Sequence, residues 1–211
     1  MINRLIDSFI GITIGENSNE DSGICVINLK NELIRMDKAY SIDELTNCVK
    51  NIAGKFNSVI CIDMPDYYEM LNGKWKLEAK LYHPLKIGGN FEAREGWEKR
   101  FSDRGKDFCK KLLAEGYEVY RYSSNYMATS LNIKPYMKNK TPAGCKFLNS
   151  VIKEKLKIQN LPNNMLPFSV LEAILGAYLA KKIATGNEGK DYVFNGEFKD
   201  IKMAGLVPNS I

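Results

Sequence analysis

A short apolar run at Ser58–Met64, with the sequence SVICIDM, constrains the fold more than any other part of the chain. A continuous apolar run of this length is typical of a strand buried on both faces, as in sheets that helices cover on either side. The run closes on Asp63, Met64 and Pro65. The pattern therefore predicts an α/β fold with a central strand that ends in a carboxylate.

Further strands and helices are predicted around this central strand. Apolar or alternating runs predict strands at Phe9–Gly15, Gly23–Leu29, Leu33–Met36 and Tyr117–Tyr122. Ser41 and Glu44 form a capping box that opens a helix. Later helices are predicted at Arg94–Phe101, Arg104–Glu115 and Val170–Thr185, with a short helix or turn at Tyr126–Leu131. The predicted fold class is α/β, with an RNase H-like mixed sheet that is antiparallel over its first three strands, then parallel, and flanked by helices.

The length of 211 residues suits one hydrophobic core, so a single domain over residues 1–211 is predicted. Residues 66–92 carry aromatics, glycines and a proline without clear periodicity, which predicts an irregular excursion. The last 20 or so residues are predicted to form a strand or a loop. Proline residues at Pro135 and Pro142 are expected to break the segment between the short helix and the long C-terminal helix.

Composition excludes several kinds of site. The chain has 5 cysteines, none of them close together, which argues against a disulfide framework and against a CxxC zinc or redox motif. It has 1 histidine, which argues against a His-rich metal site or a Ser-His-Asp triad. Catalysis would therefore rest on carboxylates, Lys, Tyr or Cys. No apolar run is long enough to span a membrane, and no secretory leader is evident, so a cytoplasmic protein without a membrane partner is expected.

A lysine-rich segment is the main concentration of charge. Residues 134–157 contain seven lysines, and the acid among them is Glu154. Such a segment is suited to a phosphate backbone, and Lys138 and Lys140 are its candidate substrate-binding residues. The alternative is a solvated lysine-rich face, and the absence of arginine argues against bidentate phosphate recognition.

Several motifs, in order along the chain, resemble the family called domain of unknown function 429, which comprises predicted RNase H-like nucleases. The resemblance covers roughly residues 9 to 207. It is carried by Gly11-Ile12-Thr13, Ser22-Gly23-Ile24-Cys25-Val26, Ile62-Asp63-Met64-Pro65, Arg94, Arg104-Gly105, Gly116-Tyr117-Glu118-Val119-Tyr120 and the helix Ser169–Ala180.

The resemblance implies a carboxylate site that binds divalent cations, Mg²⁺ or Mn²⁺, and cuts nucleic acid. Asp63 and Glu172 match acidic positions and are the candidate catalytic and metal-binding residues, while Arg94 is a candidate substrate-binding residue. Thr13 and Ser169 stand where the family usually has carboxylates. Two acids balance the charge of one divalent cation better than that of two, so a degenerate site with impaired or absent activity is expected.

Each candidate has a structural alternative. Asp63 could turn the chain before Pro65, Arg94 could pair with Glu98, and Ser169 with Glu172 could form a capping box at a helix start. Three functions stay open at this point. They are a metal-dependent nuclease with a degenerate site, a non-catalytic module that binds nucleic acid or protein, and a hydrolase of small phosphate esters.

Overall fold

A computed structural model describes residues 7–15, 20–52, 57–64, 104–133, 140–198 and 201–207, without the side chains of 195–198. The excursion predicted at 66–92, the helix predicted at Arg94–Phe101, and Lys138 all lie outside the described residues.

Among the described residues, seven strands form one mixed sheet. The strands are β1 (Ser8–Thr13), β2 (Ser22–Ile27), β3 (Leu33–Ala39), β4 (Ser58–Asp63), β5 (Glu118–Tyr122), β6 (Tyr192–Phe198) and β7 (Ile201–Leu206). Their order across the sheet is β3-β2-β1-β4-β5-β7-β6. The first three strands are antiparallel, and β1, β4, β5 and β7 run parallel to one another. This order confirms the predicted fold class, an RNase H-like mixed sheet.

Helices cover both faces of the sheet. They are α1 (Ile42–Ile52), α2 (described over 104–114), α3 (Ser124–Ser130), α4 (Pro142–Leu156) and α5 (Phe168–Thr185). α1 and α2 pack on one face, and α3, α4 and α5 pack on the other. Along β1, Ile10 lies in the core between the sheet and α1 and α2, and Phe9 lies in the core between the sheet and α3, α4 and α5. The central strands are therefore buried on both sides. None of the described helices combines the length and the apolarity that a membrane span requires.

The predicted helix signals match the structure at two ends of helices. The amide of Glu44 donates to the hydroxyl of Ser41 at 3.1 Å, and the amide of Ser41 donates to the carboxylate of Glu44 at 3.2 Å, which confirms the capping box. Gly116 follows α2 with a φ of 87°, a left-handed conformation that glycine adopts without strain.

Two predictions for the second half of the chain were wrong or incomplete. Pro142 does not break the chain there but begins α4, because proline fits the first turn of a helix, where its missing N–H is not needed. The side chain of Thr141 caps this helix by accepting from the amide of Gly144 at 3.1 Å. The C-terminal tail is a β-hairpin, β6–β7, and its second strand joins the sheet beside β5.

Helix α5 lies against the backbone of the sheet itself. A Cβ added to Gly11 on β1 would be 1.8 Å from the carbonyl oxygen of Ala173, and one added to Gly23 on β2 would be 2.2 Å from that of Ser169. These distances are far below any van der Waals contact. Because both strand positions are glycine, the helix approaches closely enough to bring its first two turns over the ends of the strands.

Candidate functional site

Polar side chains form a row where the parallel strands end. Thr13 on β1 is in register with Asp63 on β4, and Asp63 is in register with Tyr122 on β5. Side chains two residues apart on a strand share a face. The residues two positions earlier on β4 and β5, Cys61 and Tyr120, lie on the side of the sheet that α5 covers. The row therefore lies under the start of α5, at the edge where open α/β sheets place their sites.

Asp63 and Glu172 both contact Ser124, at the start of α3. The amide of Ser124 donates to the Asp63 carboxylate at 3.2 Å, and the Ser124 hydroxyl donates to Glu172 Oε1 at 2.8 Å. The structure thus brings the two predicted acids to one residue, although they lie far apart in the sequence. The structural alternative for Asp63, a turn before Pro65, lies outside the described residues.

The environment of Asp63 disfavours its charge. The residue is half-buried at the end of β4. Burial raises the pKa of Asp63 to about 6 from an ordinary value of 3.8, and the nearby Ser124 hydroxyl and the hydrogen bond from the Ser124 amide oppose that rise. A carboxylate with a raised pKa among polar side chains is typical of functional sites. Removing a charged carboxylate from water costs free energy, and functional sites are where that cost is commonly kept.

Tyr122 ties the sheet to α5 next to these acids. Its hydroxyl donates to the backbone carbonyl of Glu172 at 2.8 Å, and a Cβ added to Gly176 would be 2.6 Å from its ring. Burial, and then the charge of Asp63, raises the pKa of Tyr122 well above its ordinary value. The phenol therefore stays protonated and keeps Glu172 at a fixed height above the sheet.

Thr13 leaves a polar atom unused in the row. The residue is buried, and its hydroxyl makes no hydrogen bond of good geometry, although it lies near enough to Tyr122 to lower the pKa of that phenol. Buried hydroxyls usually have a partner. An oxygen atom without one, beside Asp63, is a feature that a bound cation or water would satisfy.

The capping box predicted at Ser169 and Glu172 was wrong. The N-cap of α5 is Pro167, which has no side chain able to cap, and α5 begins at Phe168. The hydroxyl of Ser169 instead donates to Asp21 at 3.1 Å. Because the helix starts before Ser169, Glu172 lies more than one turn inside it, and its carboxylate is directed to Ser124 rather than to its own backbone.

Asp21 is not available as a replacement for the missing first carboxylate. It contacts Lys38 at 3.5 Å as well as Ser169. In the part of the chain that the structure describes, no three or more His, Cys, Asp or Glu side chains are grouped so that they could hold a metal ion. Asp21 therefore adds negative charge near the start of α5 without joining Asp63 and Glu172.

Lys140 is the predicted substrate-binding lysine that the structure describes. Its ammonium group is 3.7 Å from the carboxylate of Glu20, on the loop between β1 and β2, and its side chain is exposed. This loop lies at the same end of the sheet as the row. Arg94 and Lys138, the other two predicted substrate-binding residues, lie outside the described residues.

Sequence reasoning missed Ser124 and Tyr122. The available signal was the polar stretch Ser123-Ser124-Asn125, which directly follows the predicted strand at Tyr117–Tyr122. Polar residues after a parallel strand reach the same edge as those after its neighbour. In the structure, Ser123 caps α3, which leaves Ser124 at the first position of that helix, between the two acids.

In charge and donor chemistry, the oxygen atoms present suit one divalent cation and not two. Asp63, Glu172, Thr13 and Ser124 offer carboxylate and hydroxyl oxygens, which Mg²⁺ and Mn²⁺ prefer. Two carboxylates neutralise one such ion and would leave a second uncompensated.

No protein-family model and no curated protein matches this chain. Solved structures do match, and among them is a Thermus thermophilus RuvC structure. That chain is 10% identical, the match covers 84% of this chain and 95% of that chain, and the TM-score is 0.46. A likeness at this level says nothing about the site, and the fold assignment stands on the strand order.

The raised pKa of Asp63 predicts a stability change with pH. Because the folded state favours the protonated acid, the stabilisation is complete below pH 3.8 and is lost as the pH rises through about 6. We expect Asp63→Asn to gain about 2 kcal/mol relative to the unmutated chain between pH 4 and pH 7. Urea unfolding across that range tests this, with exposed Asp43→Asn as the control. Parallel pH profiles of the two variants would contradict it.

Removal of the Ser124 hydroxyl should move the same transition. That hydroxyl lowers the pKa of Asp63, so Ser124→Ala is expected to shift the midpoint of the pH-dependent stability to higher pH. Ser130→Ala is a matched control, because Ser130 is buried in the same helix and its hydroxyl has no described hydrogen bond. Equal midpoints in the two variants would show that the Ser124 hydroxyl does not act on Asp63.

Proposed function

We propose that this chain is an RNase H-like nuclease with a reduced site, in which Asp63 and Glu172 hold one divalent cation, Mg²⁺ or Mn²⁺. The observation that carries the proposal is the shared contact of both acids with Ser124. Two carboxylates at one residue repel each other unless a proton or a cation lies between them. A cation would also relieve the loss of hydration that raises the pKa of Asp63.

The residues around the acids divide the work of such a site. A bound cation would stabilise the negative charge that develops on a phosphodiester. Ser124 orients both carboxylates, and Tyr122 holds the helix that carries Glu172. Thr13 contributes a neutral oxygen where a third carboxylate would strengthen cation binding. Because Thr13 carries no charge, weak cation affinity and slow cleavage of nucleic acid are expected.

A non-catalytic module is the second candidate, and the environment of Asp21 favours it. Lys38 and Ser169 both contact the Asp21 carboxylate, so this acid of the β1–β2 loop does not compensate for Thr13. As a non-catalytic module, the chain would keep the fold and bind nucleic acid without cutting it. No described contact supports the third candidate, a hydrolase of small phosphate esters.

Calorimetric titration with Mn²⁺ tests the proposed cation site. We expect the unmutated chain to bind one Mn²⁺ and Asp63→Asn and Glu172→Gln each to weaken binding at least about tenfold, since each removes a charged ligand. Asp43→Asn and Glu154→Gln remove exposed acids that do not belong to the polar row at the strand ends, and they serve as matched controls. Equal Mn²⁺ affinity in all five proteins, or no binding in any, would contradict a site at Asp63 and Glu172.

A carboxylate restored at position 13 should strengthen the site. Thr13→Asp places a charge next to Asp63 on the neighbouring strand, and we expect Mn²⁺ affinity to rise at least about tenfold, or about 1.4 kcal/mol. Cleavage of labelled DNA and RNA with Mn²⁺ should rise with it. Thr13→Val, of similar shape, is the control and should not gain affinity. A Thr13→Asp variant that folds but binds Mn²⁺ no better would argue for the non-catalytic module.

A further inference from the structure

Helix α4 presents a row of lysines to solvent. Lys146, Lys153 and Lys157 are all exposed. The spacing of seven residues places Lys146 and Lys153 within about 20° of one line along the helix, since each residue turns the axis by about 100°. Lys157 directly follows the helix as its C-cap, in a left-handed conformation. These three residues are called the α4 lysine row below, and together they extend over about 16 Å.

Acid charge does not interrupt this row. The acid in the helix, Glu154, is exposed and lies about 100° around the axis from Lys153. Ser150, which lies near the row, is neutral and exposed. Lys153 donates to the side-chain oxygen of Asn163 at 2.5 Å. Because the asparagine side chain is neutral, this bond does not offset the charge of the lysine. The row therefore presents two positive charges on one side of the helix and a third directly after its C-terminal end.

The row begins next to the candidate site. Lys140, two residues before α4, is 3.7 Å from Glu20 on the β1–β2 loop, which puts the start of α4 at the end of the sheet where Asp63 and Glu172 lie. At the other end, the side-chain amide of Asn31, in the turn between β2 and β3, donates to the carbonyl of Leu156 at 3.3 Å. That turn lies at the opposite end of the sheet. The row thus leads away from Asp63 and Glu172 along the side of the protein.

We infer that the α4 lysine row is a docking surface for the sugar-phosphate backbone of a nucleic acid strand that passes the candidate site. Phosphates of one strand of a duplex advance 3.4 Å along its axis, so the row matches about five of them. Lysines bind phosphates as flexible point charges and do not read bases. Binding along the row would be independent of sequence and strongly sensitive to salt.

The surface itself is independent of the cation, whereas the cutting of a docked strand rests on the proposed function. An acidic protein segment is the other polyanion that three lysines would attract. The regular charge of a phosphate backbone favours nucleic acid, because lysines about 10 and 6 Å apart along the helix axis can each meet a phosphate of the same strand.

The experiment measures binding of a labelled 20-nucleotide single strand by fluorescence anisotropy, in EDTA, from 50 to 300 mM salt. The triple variant Lys146→Gln, Lys153→Gln, Lys157→Gln is compared with Lys50→Gln, Lys110→Gln, Lys111→Gln. The control triple changes net charge equally but lies on α1 and α2, on the opposite face of the sheet. The row variant is expected to bind about 10- to 100-fold more weakly, with a salt slope shallower by about 2. The control should stay within about threefold.

Each outcome decides for or against the docking surface. Equal losses in the two triple variants would show a net-charge effect and overturn it. Competition by polyglutamate as strong as that by unlabelled DNA of equal charge would assign the row to acidic proteins instead. A row variant that loses DNA but binds Mn²⁺ normally supports both proposals. Row-dependent DNA binding by a chain that binds no Mn²⁺ supports the docking surface and rejects the cation site.

Discussion

The close contact between helix α5 and the backbone of β1 and β2 is the constraint on which the rest of the structure depends. Gly11 and Gly23 leave room for main-chain atoms of Ala173 and Ser169, so the helix rests on the strands without side chains between them. Protein interiors resist changes of even one methylene. The helix therefore has one position, and that position decides where Glu172 lies relative to the end of the sheet.

From this position, the local chemistry of the site follows. Tyr122 holds the backbone of Glu172, and Ser124 holds its carboxylate together with that of Asp63. Such an arrangement costs stability at neutral pH, because burial disfavours the charged form of Asp63. Folded proteins tolerate costs of this kind mainly at functional positions. On the proposed docking surface, the lysines of α4 would add long-range attraction and raise the local concentration of polyanions on this side of the protein.

Much of the fold was predictable from local patterns, whereas the site was predictable only in part. The apolar run ending at Asp63 and the capping box at Ser41 and Glu44 are local signals, and the structure confirms both. Helix α4 is not predicted from the sequence, because Pro142 has the chemistry of a helix breaker as well as that of a first-turn residue. The role of Ser124 could not be predicted, since its two contacts join elements that only the tertiary fold brings together. No sequence pattern encodes those distances.

The order of the elements along the chain has a consequence for biosynthesis. Strands β1, β2 and β4 leave the ribosome well before α5, which lies near the C-terminus of the sequence. Proteins are made from the N-terminus, and incomplete domains expose apolar surface that aggregates or binds chaperones. Until α5 arrives, the strip of sheet around Gly11 and Gly23 stays bare. A nascent chain stalled before residue 168 would therefore leave the sheet surface at Gly11 and Gly23 uncovered. A tethered peptide with the α5 sequence would be expected to cover it.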